Sequence, residues 1–273
     1  MLSSILSLFR MAANIKLFQP NIMLMVPMMI ETLAKKLAAA GDKDPKMVKE
    51  AVFGEQFHTI CSGGAYLQPE LLDLFAKYDI AILQGYGMTE CSPVISTTLS
   101  WNIRKGSVGQ LLPNCEARVV DGELQVRGSS VMQGYYQMPE ETAETLQNGW
   151  LLTGDLGYVD EDGFLFQIGR KKNLIITKNG ENVSPEELEN KLLEQPLIRE
   201  ILVREAEGVI EAEVFPDEEA MKAQGLAENS ITEALQKLID GYNEQAPAYK
   251  RIYRLKVRDT EFPKTPSKKI KRY

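Results

Sequence analysis

Five short segments of this chain carry side chains of unusual chemical promise. In order they are Ser62-Gly63-Gly64-Ala65, Gly85-Tyr86-Gly87-Met88-Thr89-Glu90, Thr153-Gly154-Asp155, Gly169-Arg170-Lys171-Lys172-Asn173 leading to Gly180, and the basic run Pro263 to Arg272. Gly63 and Gly64 remove side chains where a flat ring could lie against bare backbone. Tyr86 offers a ring to stack on such a partner. The Thr89 hydroxyl could reach a phosphate, and Glu90 supplies the hard oxygen that Mg²⁺ prefers. Asp155 could accept hydrogen bonds from two neighbouring sugar hydroxyls, as carboxylates do in nucleotide sites. Arg170 could hold sugar or phosphate. Taken together, the residue types suit the pieces of ATP. Taken singly, each has an ordinary alternative: a tight strand-to-helix turn at Gly63-Gly64, a plain loop at Tyr86 to Glu90, a turn or cap aspartate at Asp155, a weak surface ion pair at Arg170, and a solvated basic tail after Pro263.

The elements around these segments predict how they are held. Met23 to Ala40 reads as a helix interrupted early by Pro27, with Ile30, Leu33, Ala34 and Leu37 at helical spacing. A short strand at His58 to Cys61, the glycine loop, a helix from Pro69 and a strand at Ile80 to Leu83 then predict a parallel α/β sheet. After Trp101, short β-forming runs (Ala117 to Val120, Leu124 to Arg127, Phe164 to Ile168) are separated by Asp121-Gly122, Asn148-Gly149 and Asp162-Gly163 turns. They predict a small antiparallel sheet or barrel. Near Gly169 the pattern changes again. Leu174 to Thr177 reads as a strand, and Ser184-Pro185-Glu186-Glu187 as a helix start with Ser as N-cap and Pro at the first helical position. Strands at Ile201 to Arg204, Val209 to Phe215 and Ile252 to Val257, with a helix from Ile231 to Tyr242, predict a separate α+β domain.

The expected architecture is therefore α/β: residues 1–169 as a partial large domain, split into an α/β part (1–100) and a β-rich, barrel-like part (101–169), followed by a small α+β lid domain at 170–273. Composition agrees with a packed globular chain: 44% of the 273 residues are hydrophobic and 25% charged. Cys61, Cys91 and Cys115 form neither a disulfide framework nor a metal-ligand pair, which favours a reducing, cytoplasmic setting. A histidine-based triad or metal centre would rest on His58 alone. No run approaches the ~18 apolar residues of a membrane span, and the apolar start, Met1 to Phe9, lacks the basic leader of a signal peptide and reads as part of a buried helix. The net charge of −7 hides an asymmetry, because Lys250 to Tyr273 holds ten basic residues against two acids.

In order and spacing, the five segments resemble the AMP-binding, acyl-adenylate-forming family of acyl-CoA synthetases, luciferases and nonribosomal adenylation domains. The likeness runs from about Met23 to the end, and Gln84 to Pro93 looks most like the long-chain fatty acyl-CoA synthetases. It implies an ATP-dependent fatty or other carboxylic acid–CoA ligase with ATP/AMP, Mg²⁺ and coenzyme A as its small molecules. Gly63, Gly64 and Ala65 would line the adenine pocket, Tyr86 and Gly87 would lie against the base, Thr89 and Glu90 would serve phosphate and metal, and Asp155 and Arg170 would hold the ribose. Lys269, aligned with the lysine of the family pattern Pro-Lys-Thr-x-x-Gly-Lys-Ile-x-Arg, would offset the charge that builds when a carboxylate attacks the α-phosphate. Lys268 stands where the family often has Gly. A hinge near Lys172 would let the small domain swing, bringing the face around Gly180 to the thiol channel.

The resemblance also carries an expectation of something missing. The family's Ser/Thr/Gly-rich phosphate loop with its lysine has no counterpart in residues 1–60, so the chain looks like the second half of such an enzyme. The first 60 residues are then expected to be poorly ordered or to pack against another copy. Self-association through that region and peripheral membrane contact are the partner expectations beyond acid and CoA. Other readings stand beside the leading one: an adenylating enzyme that loads a carrier protein, an inactive nucleotide-binding or interaction remnant, and nonspecific nucleic-acid binding by the tail. The last has no recognised motif and little aromatic interleaving, so no nucleic-acid partner is expected.

Overall fold

The first apolar runs and helical stretches build one layered sheet. Strands β1 (Ile22–Met25), β2 (Thr59–Gly63) and β3 (Ala81–Gly87) pair in parallel, and β4 (Val94–Thr97) and β5 (Gln110–Leu111) extend the sheet antiparallel, in the order β1-β2-β3-β4-β5. Helices α1 (Leu8–Phe18), α2 (Pro27–Ala38), α3 (Pro45–Val52) and α4 (Glu70–Ala76) supply the apolar stripes that cover it. The stretch Met23 to Ala40, read as one interrupted helix, is a strand followed by a helix. Pro27 occupies the first turn of α2, where its missing N–H costs nothing, and Ile22 to Met25 pair with Thr59 to Ser62. The computed structural model describes residues 8–227, 230–265 and 269–272, so of the apolar start only Leu8 and Phe9 are described, as the first residues of α1; Met1 to Ser7 lie outside.

The early residues contribute to this core, contrary to the expectation of a poorly ordered start. Met11 and Ile15 of α1 and Ile30, Leu33 and Leu37 of α2 are buried with Ile60, Ile80 and Ile82 of the sheet. Phe53 stacks on Phe57 at 4.9 Å between ring centroids and meets Phe75 at a tilt, 6.2 Å away. Burying each such side chain contributes about 1.5–3 kcal/mol.

Strands β6 (Cys115–Val120), β7 (Glu123–Gly128), β8 (Leu146–Gln147), β9 (Trp150–Val159) and β10 (Leu165–Arg170) form the second sheet, in the order β10-β9-β7-β6 with β8 beside β9. Helix α5 (Pro139–Thr145) precedes β8. The expected turn at Asp121-Gly122 joins β6 to β7, with both residues at positive φ as a two-residue hairpin requires.

The chain divides into two compact units, one of Met1–Thr153 with Gly157–Gln167, the other of Gly154–Leu156 with Ile168–Tyr273. In the second, the two-residue strands β11 (Ile175–Ile176) and β12 (Asn182–Val183) pair antiparallel. A separate sheet runs β13 (Ile198–Ala206), β14 (Val209–Pro216), β15 (Arg254–Val257), with β13 and β14 antiparallel and β14 and β15 parallel. Helices α6 (Pro185–Leu192), α7 (Glu218–Ala223) and α8 (Ile231–Gln245) complete this unit. Its core joins Leu188 and Leu192 of α6, Leu235 and Ile239 of α8, and Ile201, Val203, Ala212 and Val214 of the sheet. Among the described residues no helix is long and apolar enough to cross a membrane.

Candidate nucleotide and adenylation site

In the first unit the candidate residues sit at the ends of adjacent parallel strands, where α/β sheets expose their loops. Gly63 pairs with Gly85 across β2 and β3, which brings the two glycine segments side by side. Beyond the strand, Gly64 has φ +85° and nothing within 4 Å of where a β-carbon would stand. The Ser62 hydroxyl beside it is buried and has no hydrogen-bond partner among the described residues. The open backbone face at Gly64 leaves room for a ligand lying along the loop. Tyr86 is buried at the end of β3. Gly87 has a different reason to be glycine, since a β-carbon there would come within 1.9 Å of the Pro93 carbonyl oxygen, an acceptor for the Met88 N–H.

Thr89 and Glu90 occupy a short 3₁₀ turn after β3. The Tyr135 hydroxyl donates to Glu90 Oε1 at 2.8 Å, and the Met132 N–H donates to the Glu90 carbonyl. This bond to the carboxylate raises the Tyr135 phenol above its ordinary range. Tyr135 is a partner that no local spacing announced, because 45 residues separate it from Glu90. Among the described residues no group of three or more His, Cys, Asp or Glu could hold a metal by itself. One well-held carboxylate fits Mg²⁺ all the same, since that ion is commonly bound by one or two carboxylates together with substrate phosphates and water. Neighbouring Cys91 is no nucleophile: burial pushes its thiol up to about 11.

In the second unit Asp155 lies in strand β9 with its side chain 1% exposed, which sets aside the turn or cap reading. Arg170 Nε pairs with Asp155 Oδ1 at 2.8 Å, and the guanidinium is about half exposed. Gly154, Arg170, Lys171 and Lys172 line a cavity of about 330 Å³. Three cations at one cavity can receive an anion, and Arg170 ties that cavity to the buried Asp155 carboxylate. Gly180 is at φ +81° in the turn between β11 and β12, with open space in front of it.

The two described ends of the C-terminal run, Pro263 to Thr265 and Lys269 to Arg272, pair antiparallel as the legs of a hairpin. The Thr265 N–H donates to the Lys269 carbonyl at 2.8 Å, the Lys271 N–H donates to the Pro263 carbonyl at 2.9 Å, and Lys264 and Ile270 form a β-bridge. The Lys269 N–H donates to Thr265 Oγ1 at 3.1 Å, and Lys269 is exposed. Lys268 lies outside the described residues. Arg272 closes the hairpin on α6, donating from Nη1 to Glu189 Oε1 at 2.9 Å and lying 3.3 Å from Glu186 Oε1. Glu189 also accepts the Val203 N–H at 2.7 Å. Burial pushes the Glu189 carboxyl up to about 7, against the pull of Arg272. Ser184 stands at the N-cap of α6 as expected, but its hydroxyl does no capping. Its single proton is shared between the Ile168 carbonyl and Glu186 Oε2, each 3.1 Å from Oγ.

Comparison with known proteins fits this geometry. The sequence profile of AMP-binding enzymes matches residues 4–136, and that of the AMP-binding enzyme C-terminal domain matches residues 172–273. A long-chain-fatty-acid–CoA ligase of Mycobacterium bovis is 39% identical over 174 residues, 63% of this chain and 29% of that protein. A 4-coumarate–CoA ligase-like protein of Oryza sativa subsp. japonica is 38% identical over 244 residues, 80% of this chain and 41% of its own length. Among solved structures, the o-succinylbenzoate CoA synthetase of Bacillus subtilis in complex with its acyl-adenylate intermediate superposes with a TM-score of 0.77 at 28% identity, covering 97% of this chain and 52% of that one. The chain thus spans less than half the length of these curated relatives. With both profiles matched in order and the fold shared along almost its whole length, the chain belongs to the AMP-binding enzymes.

Proposed function

We propose that this chain handles the adenylate in an ATP-dependent carboxylic acid–CoA ligase, with a fatty acid as the acid. A carboxylate oxygen of the acid attacks the α-phosphorus of ATP, the bond to the bridging oxygen breaks, and pyrophosphate leaves with that electron pair. The CoA sulfur then attacks the acyl carbon of the acyl-AMP, its proton is lost, and AMP leaves. Ser62 to Ala65, Tyr86 and Gly87 form the base-binding surface in this reading, and Asp155 with Arg170 forms the ribose site. Glu90 would hold Mg²⁺, which would supply charge neutralisation, and the Thr89 hydroxyl would reach the phosphates. Lys269 offsets the negative charge that builds on the five-coordinate phosphorus. Gly180 borders the path of the thiol in the second step.

The observation that carries the reading is the Asp155–Arg170 pair. A carboxylate 1% exposed, paired with an arginine that lines a cavity together with Gly154, Lys171 and Lys172, supports a sugar-phosphate site over a surface ion pair. The CoA-ligase activities of the matched relatives support CoA as acceptor, and the free cysteines suit a reducing cytoplasm.

The test is release of AMP and acyl-CoA from ATP, Mg²⁺, CoA and a panel of short to long fatty acids, beside calorimetric binding of AMP. The expected result is turnover lost by about a hundredfold in Lys269→Ala, with AMP affinity kept in that variant and weakened in Asp155→Ala. Turnover that survives Lys269→Ala, or a folded chain that neither turns over nor binds AMP, overturns the reading.

A further inference from the structure

Three stretches of the second unit that are far apart in sequence meet on one carboxylate. Asn173, in the 3₁₀ turn after Arg170, donates from Nδ2 to Glu186 Oε1. Ser184 Oγ, which shares its proton with the Ile168 carbonyl, lies 3.1 Å from Glu186 Oε2, and Arg272 Nη2 lies 3.3 Å from Glu186 Oε1. The fit around this carboxylate is tight: a β-carbon on Gly169 would stand 2.7 Å from Glu186 Oε2 and 2.1 Å from Ser184 Oγ. A carboxylate has about four acceptor sites on its two oxygens, so one residue can serve donors from three segments.

The amide of Asn173 shows that this arrangement has a cost. Only its NH₂ can face a carboxylate, and Asn173 Oδ1 is left buried with no partner among the described residues. An unpaired buried carbonyl is a cost that a plain connecting turn has no reason to bear.

The hairpin carrying Lys269 is pinned at both legs. On one leg Arg272 grips Glu189 and reaches Glu186. On the other Lys264 pairs with Glu200, whose Oε2 accepts the Phe262 N–H at 2.9 Å. Ile270 packs beside Leu202, Phe215 and Phe262. The first leg alone connects onward, through Glu186, to Asn173 and the residues following Arg170.

We propose that Glu186 is a positioning residue that couples the Lys171–Asn173 turn to the C-terminal hairpin, so that the turn and the Lys269 loop adopt their orientations together. Any rotation of the turn pulls on Glu186 through Asn173, and Glu186 shares its helix with Glu189, the main grip on Arg272. A lysine that must meet developing charge works only when its supporting shell is fixed to within about half an ångström. That catalytic consequence rests on the proposed role of Lys269; the mechanical coupling does not.

Hydrogen exchange followed by NMR on the folded chain tests the coupling without requiring turnover. In Glu186→Gln, which keeps oxygen for Ser184 but loses the charge facing Arg272, the Thr265 and Lys271 amides of the hairpin and the Leu174 amide, which donates to the Lys171 carbonyl, are expected to exchange about tenfold faster, as loss of one charge-assisted bond implies. Asn173→Ala should speed Lys271, and Arg272→Met should speed Leu174, although neither residue touches the other's segment. In a Glu186→Ala background these crossed effects should vanish, while Arg272→Met still speeds the hairpin amides through the lost grip on Glu189. Acceleration confined to residues 185–193, or crossed effects that persist without Glu186, overturns the proposal. Where Glu186→Ala also speeds the β13 and β14 amides and so reports unfolding, the same cycle in Glu186→Gln decides. Lys269→Ala should leave all these exchange rates unchanged while lowering turnover about a hundredfold, so failure of the catalytic reading and failure of the coupling give different results.

Discussion

The two groups of candidate residues are held in opposite ways. In the first unit Gly63, Gly64 and Gly87 present backbone at the ends of hydrogen-bonded strands, the Tyr86 ring is buried among Cys91, Ile95, Leu124 and Val126, and the sheet that positions them is covered by apolar side chains. In the second unit Asp155, Arg170 and the Lys269 hairpin are placed by charge: Arg170 on Asp155, Arg272 on Glu189 and Glu186, Lys264 on Glu200. A flat, neutral ring needs close approach to backbone, which strand pairing fixes without titratable groups. A charge-neutralising lysine needs a directed tether, and partly buried ion pairs give direction at the cost of desolvation and pH sensitivity. The first group should therefore break through sterics and the second through charge.

The largest effect is expected from Gly87→Ala. Its β-carbon would stand 1.9 Å from the Pro93 carbonyl oxygen and 2.9 Å from the Val94 α-carbon, both backbone atoms that cannot step aside. Separating β3 from β4 there should cost about 3 kcal/mol or more, read as a fall in the urea midpoint. That loss should be the same at pH 5 and pH 7.

Arg272→Met comes next and should behave differently. It strands Glu189, which accepts the Val203 N–H and is only 10% exposed at its side chain. Breaking one partner of a buried pair should cost about 2–3 kcal/mol at pH 7. The loss should shrink at pH 5, where Glu189 takes up a proton instead of remaining an unpaired charge. An equal loss at both pH values would show that Arg272 works by packing, and the contrast between the units would fail.

The sequence disclosed the first group better than the second for a physical reason. Strand, glycine loop and helix are local patterns, and the β2–β3 order with its glycine segments could be followed residue by residue. So could the Asp121-Gly122 hairpin and the Ser184-Pro185 helix start. The error at Met23 to Ala40 came from Ile22 to Met25, four apolar residues too short to show a period, so that a parallel strand and a helix entry look alike. The partners of the charged groups were out of reach. Arg272 and Glu189 are 83 residues apart, and Tyr135 and Glu90 are 45 apart, with no spacing rule to join them. Ser184 illustrates the limit within a motif: its place in the helix was legible, but the Ile168 carbonyl that takes its hydroxyl was not.

Glu189 itself offers a smaller and more selective effect. Its folded-state carboxyl is raised from its ordinary 4.5 to about 7 by burial. A raised carboxyl favours the folded state in its protonated form. Its contribution is complete below about pH 4.5 and is lost as pH rises through about 7. The difference in urea midpoint between the wild-type chain and Glu189→Gln should therefore change across that window, with the wild type losing ground as pH rises. A constant difference would mean that Glu189 is already ionised at pH 5 and held by Arg272 alone.

The smallest effect on stability should discriminate function most sharply. Gly64 and Gly180 both lie at positive φ, +85° and +81°, with nothing within 4 Å of where a β-carbon would stand. Alanine at either position should cost the same, about 1 kcal/mol, because only the backbone conformation is penalised. Their consequences for ligands should differ. Gly64→Ala puts a methyl group on the open face of the loop and should weaken AMP binding by about tenfold or more. Gly180→Ala sits in the β11–β12 turn of the other unit and should leave AMP affinity alone, acting in the thiol step. Matched losses of stability with unmatched losses of AMP affinity would separate the glycine kept for a ligand from the glycine kept for a turn. Equal affinities in the two variants would remove Gly64 from the base-binding surface.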